Sequence, residues 1–130
     1  MTTTYVVGVG ARAGAPLGDL EVLLAQALTA AGCTPAQVRA LATVDHKATE
    51  PAICQLAARY DWPLQTFPAQ VLAEQPVARP SVRVAQLVAT ASVAEAAAIA
   101  ATRSAHGAGV LVVHKLVTGA ATLAVARYAA

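Results

Sequence analysis

The chain has 130 residues, 57% of them hydrophobic and 12% charged, with a net charge of +2. So apolar a composition excludes intrinsic disorder, which requires low hydrophobicity and high charge, and the length suits one domain, residues 1–130, with a core that needs no disulfide or metal staple. The 9 Lys and Arg residues are scattered singly, which excludes a dedicated nucleic-acid binder with its basic face.

Tyr5 to Gly10 is a short apolar run with β-branched residues that ends in a Gly-rich turn, and it predicts a first strand buried on both faces. The N-terminal stretch before it lacks a basic region, so it does not read as a signal peptide. Leu17 to Ala31 predicts a helix, because Leu20, Leu23, Leu24, Ala27, Leu28 and Ala31 recur at spacings of three and four. Asp19 and Glu21 sit in its first turn and Gly32 stops it. Gln37 to Asp45 predicts a second strand. A second helix opens at Thr49-Glu50-Pro51, with Thr49 as N-cap, and runs to about Tyr60. Pro63 to Phe67 predicts a short third strand. Between Pro68 and Pro80 the chain is irregular, with a helical turn over Ala69 to Ala73, and Ser81 to Val88 predicts a further helical piece. Ser92 and Glu95 form a capping-box pattern for an Ala-rich helix that ends near His106-Gly107. Gly109 to Val117 and Ala121 to Tyr128 predict a hairpin around Thr118-Gly119.

Alternating strands and helices predict an α/β fold: a three-layer α/β/α sandwich with a mixed, mostly parallel five-stranded sheet. Right-handed crossovers put the first three strands parallel in the order three, two, one. The fourth strand is expected beside the first, with the fifth antiparallel at the edge. Mean hydropathy is high, at +0.56. The two longest apolar stretches are nevertheless interrupted by Gln86 and Glu95, and by His114-Lys115, so neither predicts a membrane span. Cys33 and Cys54 fit no paired spacing and read as reduced thiols of a cytoplasmic chain.

In such sheets ligands bind at the carboxyl ends of the strands, where the winding reverses. That rule selects the loop after the first strand, the loop after the second, and the start of the Ser92 helix. The first loop carries Gly8, Gly10, Arg12 and Gly14. Glycines allow bare N–H groups at a helix start, and Arg12 adds a bidentate partner for carboxylate or phosphate, so the loop reads as an anion site. Gly8, Gly10 and Ala13 also match a dinucleotide pattern, but Gly14, Pro16 and Gly18 intervene before the helix, which argues against it. The second loop offers Asp45, Lys47 and Glu50 as polar contacts, with Asp45 or Glu50 as a candidate general base; a capped helix start with solvated charges explains the same residues. Ser92 and Glu95 mark the third position. Lys115 is out of place in an apolar strand, because a buried unpaired ammonium is costly. Beside the first strand it would point into the same cleft as Arg12 and Lys47. Histidines 46, 106 and 114 show no metal spacing, and neither a metal nor a cofactor is expected.

The ordered set of Gly8-x-Gly10-x-Arg12-x-Gly14, Asp45-x-Lys47-x-x-Glu50-Pro51, Pro80-Ser81, Ser92-Val93-Ala94-Glu95, Lys115 and the run Ala121 to Ala126 resembles the CobE family, the same module as the C-terminal domain of CbiG. The resemblance covers nearly the whole chain, and the length is that of the stand-alone form. It implies cobalamin biosynthesis, in steps on methylated precorrin intermediates; for CbiG it implies opening of a lactone ring with release of acetaldehyde. Two positions depart from the family loop, G-x-G-C-R-R-G: Ala11 replaces its cysteine and Ala13 its second arginine. A thiol is therefore not required here. Ala89 stands where relatives often carry Gly.

A precorrin is a flat tetrapyrrole rimmed with acetate and propionate groups. The predicted anion loop with Arg12, flanked by Lys47 and Lys115, suits such a rim. The expected function is therefore binding or handling of a precorrin intermediate, with other cobalamin-pathway enzymes as further partners and neither nucleic acid nor membrane. Two alternatives stand beside it: a small hydrolase acting on a precorrin lactone with Asp45 or Glu50 as base, and a non-catalytic partner subunit of a pathway methyltransferase.

Overall fold

The computed structural model describes residues 3–75, 89–105, 107 and 109–129, without the side chains of 89–92. The predicted helical piece from Ser81 to Val88, the prolines 76 and 80, and His106 lie outside the described residues. The elements are β1 (Tyr5–Ala11), α1 (Leu17–Ala31), β2 (Val38–Val44), α2 (Pro51–Tyr60), β3 (Leu64–Phe67), α3 (Ala69–Ala73), α4 (Ala89–Ala101), β4 (Val110–Val117) and β5 (Ala121–Arg127).

Helix α1 matches its predicted bounds, and Gly32 ends it in the left-handed conformation at φ 69°. Glu21 leaves the helix dipole to pair with Arg59 of α2 at 2.9 Å. The cap of α2 is Glu50, not Thr49, and the Glu50 side chain makes no capping bond to its own helix. Pro51 takes the first helical position, where its missing N–H costs nothing.

The sheet is five-stranded and mixed, in the order β3-β2-β1-β5-β4. β1, β2 and β3 are parallel as expected. The last two strands are exchanged relative to expectation: β5 lies antiparallel beside β1, and β4 forms the edge. The physical reason is charge and size. β5 reads Ala-Thr-Leu-Ala-Val-Ala-Arg and is buried along Ala121–Ala126, whereas β4 carries His114 and Lys115, which an edge tolerates and a central strand does not.

The two faces of the sheet are packed differently. On one, Val7, Val9, Leu123 and Val125 meet Leu20, Leu23 and Leu24 of α1 and Ile53 and Leu56 of α2. On the other, the small Ala40 and Ala42 with Val6 and Val44 meet Ala96 and Ala97 of α4. Small residues on both partners bring helix and sheet close together. At Gly8 the two backbones come so near that a Cβ there would collide with the Ala94 carbonyl oxygen. Gly8 pairs with Ala42 and Ala124, so it serves packing in mid-strand rather than the loop. Gly10 likewise belongs to β1, opposite Thr122.

Candidate functional site

The carboxyl ends of β1 and β2 gather the first two predicted loops. The β1–β2 ladder ends at Gly8 and Ala42, although both strands continue. Beyond it the buried Thr43 hydroxyl donates to the Val9 carbonyl at 2.7 Å, which closes the gap that the ladder leaves. The chain then turns at Arg12–Ala15, where the Ala15 N–H donates to the Arg12 carbonyl at 3.1 Å. Gly14 stands third in that turn at φ 78°, while Ala13 keeps negative φ, the pattern of a type II turn. Arg12, Ala13 and Gly14 are exposed.

The N–H groups of this turn are less bare than the sequence suggests. That of Arg12 donates to the Ala120 carbonyl at 2.9 Å, tying the turn to the β4–β5 hairpin. That of Gly14 donates to Glu50 Oε2, also at 2.9 Å. This bond joins the first loop to the second across 36 residues. Asp45–Lys47 forms a single helical turn, and the Glu50 N–H donates to the Lys47 carbonyl at 3.1 Å. Asp45 is exposed, Lys47 and Glu50 half-buried. Arg12, Gly14, Asp45, Lys47 and Glu50 therefore share one end of the sheet, with two cations against two anions.

Glu95 and Lys115 form a separate group on the α4 side, and Ser92 lies on α4 one turn before Glu95. Ser92 does not cap, because α4 begins three residues earlier at Ala89. Glu95, only 4% exposed, faces β4 instead. Its Oε2 accepts the Lys115 backbone N–H at 3.1 Å and lies 3.4 Å from His114 Nδ1. β4 is bulged here: Val113 pairs with Val125 and Leu116 with Leu123, so three steps on β4 match two on β5. The carboxylate accepts from the N–H that the bulge frees from the ladder. Lys115 is therefore not beside β1, since β5 lies between them, and it is about 10 Å away at roughly 4.8 Å per strand spacing. His114, whose side chain is 64% exposed, is the site-region residue that sequence reasoning missed. Its signal was the polar pair His114-Lys115 interrupting an apolar strand.

Three further polar side chains are buried or half-buried. The Thr122 hydroxyl is buried, in a residue 5% exposed, and has no hydrogen-bond partner among the described residues. The Cys54 thiol donates to the Ala48 carbonyl at 3.1 Å, and burial pushes the Cys33 thiol above its ordinary pKa. Among the described residues no three His, Cys, Asp or Glu side chains gather as a metal site requires, and no helix is long and apolar enough to cross a membrane.

The family model described as cobalamin synthesis G C-terminus matches residues 5–126. The chain is 35% identical over 126 residues to Protein CobE of Sinorhizobium sp, covering 93% of this chain and 78% of that protein. Among solved structures it is similar to CobE, a protein from the cobalamin (vitamin B12) biosynthetic pathway, with TM-score 0.83 and 32% identity over 99% of this chain and 93% of that one. It is also similar to the cobalamin biosynthesis protein chiG from Agrobacterium tumefaciens, with TM-score 0.69 and 27% identity over 98% and 100% of the two chains.

Proposed function

The chain belongs to the family of the cobalamin synthesis G C-terminus and is a cobalamin biosynthesis protein, and from that premise we propose that it binds a precorrin-type tetrapyrrole intermediate at the carboxyl ends of β1 and β2. The observation that carries this reading is the Gly14 N–H, which already holds a carboxylate, that of Glu50, at 2.9 Å beside the exposed Arg12. A turn that receives one carboxylate is suited to receive another of the same charge and shape. Arg12 and Lys47 supply the cations for the acetate and propionate groups of the rim. Lys115, on the far side of β5, serves groups on the opposite edge of so broad a ring. The small apolar residues of the chain face the macrocycle where aromatics would otherwise stack.

The role is binding or delivery rather than catalysis. Asp45 is exposed and Glu50 is engaged by Gly14, so neither is set apart for proton transfer. Titration with purified precorrin intermediates, read by visible absorption, tests the reading. Arg12→Ala should weaken binding roughly 10- to 100-fold, the worth of a charge-assisted hydrogen bond, with the melting temperature unchanged. An affinity equal to wild type removes the turn from the site. Release of acetaldehyde by the wild type would replace the binding role with the hydrolase.

A further inference from the structure

Resting on the tetrapyrrole-binding reading, we infer that Glu50 is a placeholder: its carboxylate occupies the anion position of the Arg12–Ala15 turn and gives way to a carboxylate of an incoming ligand. Glu50 is neither a base nor a direct contact in this arrangement. It sets the threshold that a ligand must exceed.

Four observations support the exchange. Glu50 is the N-cap of α2, yet its side chain makes no bond to that helix and reaches instead to Gly14, 36 residues away. The contact is exposed, so a ligand has access to it. The space on the Cβ side of Gly14 is open, because a Cβ built there would meet nothing within 4 Å. Finally, the turn keeps its form without Glu50, since the Ala15-to-Arg12 bond at 3.1 Å and the Arg12-to-Ala120 bond at 2.9 Å hold it from both sides.

An internal anion that competes with the ligand lowers apparent affinity by the fraction of molecules in which it is docked. It also discriminates. A ligand with a single carboxylate gains at Gly14 only what Glu50 gave up. A ligand with several carboxylates displaces Glu50 and still has others for Arg12 and Lys47. The site would thus prefer a polycarboxylate over a monocarboxylate of the same ring size.

The test is Glu50→Gln, which keeps the shape and a hydrogen-bond acceptor but removes the charge. A neutral acceptor is about half as strong as an ionised one, so the variant should bind the precorrin intermediates, and uroporphyrin as a tetrapyrrole with eight carboxylates, about 5- to 10-fold more tightly than wild type. Glu50→Ala should bind at least as tightly as Glu50→Gln. The Gly14 amide resonance, followed by NMR, should move in both variants before ligand is added and converge with wild type at saturation. Binding by wild type with Glu50→Gln equal or weaker overturns the placeholder and leaves the binding reading standing. Absence of binding to any of these tetrapyrroles by wild type and both variants overturns both. A structural role for Glu50 would instead lower affinity and melting temperature together.

Discussion

Glu50 and Glu95 make the same contact in opposite surroundings. Each carboxylate accepts a backbone N–H from a distant segment, at 2.9 Å from Gly14 and 3.1 Å from Lys115. Glu95 does so with 4% exposure, on the face of α4 turned toward β4. Glu50 does so at the surface, at a turn that other bonds also hold. The difference teaches that burial, not the bond itself, decides whether a carboxylate is part of the frame or part of the site. A buried acceptor leaves its donor unpaired when it is removed, and an exposed one leaves it to water or to another anion.

The largest effect should come from the ground on which Glu95 rests. Gly8→Ala drives a Cβ into the Ala94 carbonyl and lifts α4 from β1, which should cost about 3 kcal/mol by overpacking. Hydrogen exchange should then show the Lys115 amide opened and the Gly14 amide no faster than in wild type. Equal loosening of both would deny that the two regions are independent. Glu95→Ala should cost about 2 kcal/mol, because the Lys115 N–H at the bulge loses its charged acceptor. Denaturant melts check the value, and a cost near zero would put Glu95 with Glu50. Thr122→Val should raise stability by about 1 kcal/mol, since the buried hydroxyl has no partner among the described residues to lose. The smallest effect on stability belongs to Glu50→Gln, within about 0.5 kcal/mol as for other surface changes, although the same variant should show the clearest effect on binding.

Much of the fold was legible because local patterns and tertiary packing agree. The Leu20, Leu23, Leu24, Ala27 and Leu28 stripe predicts α1, and Gly32 its end, because one face meets the core and one residue tolerates left-handed backbone. The hairpin was legible in Thr118, whose hydroxyl accepts the N–H groups of Ala120 and Ala121. The cap at Ser92 failed for a physical reason: the good helix formers Ala89 and Ala91 carry α4 past it despite Thr90 between them, and Glu95 found a better donor in β4.

For the site, the residue types were legible and their roles were not. The sequence by itself determined an α/β chain with a Gly-Arg turn after β1 and a charged segment after β2, because strand–helix alternation places both at the same end of the sheet. Only the tertiary structure decided which strand lies beside β1, since a hairpin can insert either arm and the polarity of His114 and Lys115 counts only once one arm is covered on both sides. It also decided that Glu50 meets Gly14 while Glu95 meets Lys115, contacts across 36 and 20 residues that no spacing along the chain encodes. The reason is common to both: periodicity reports which face a residue takes, but its partner is set by how whole elements stack, α4 over Val6, Ala40 and Ala42 on one face and α1 and α2 over Val7, Val9 and Leu123 on the other.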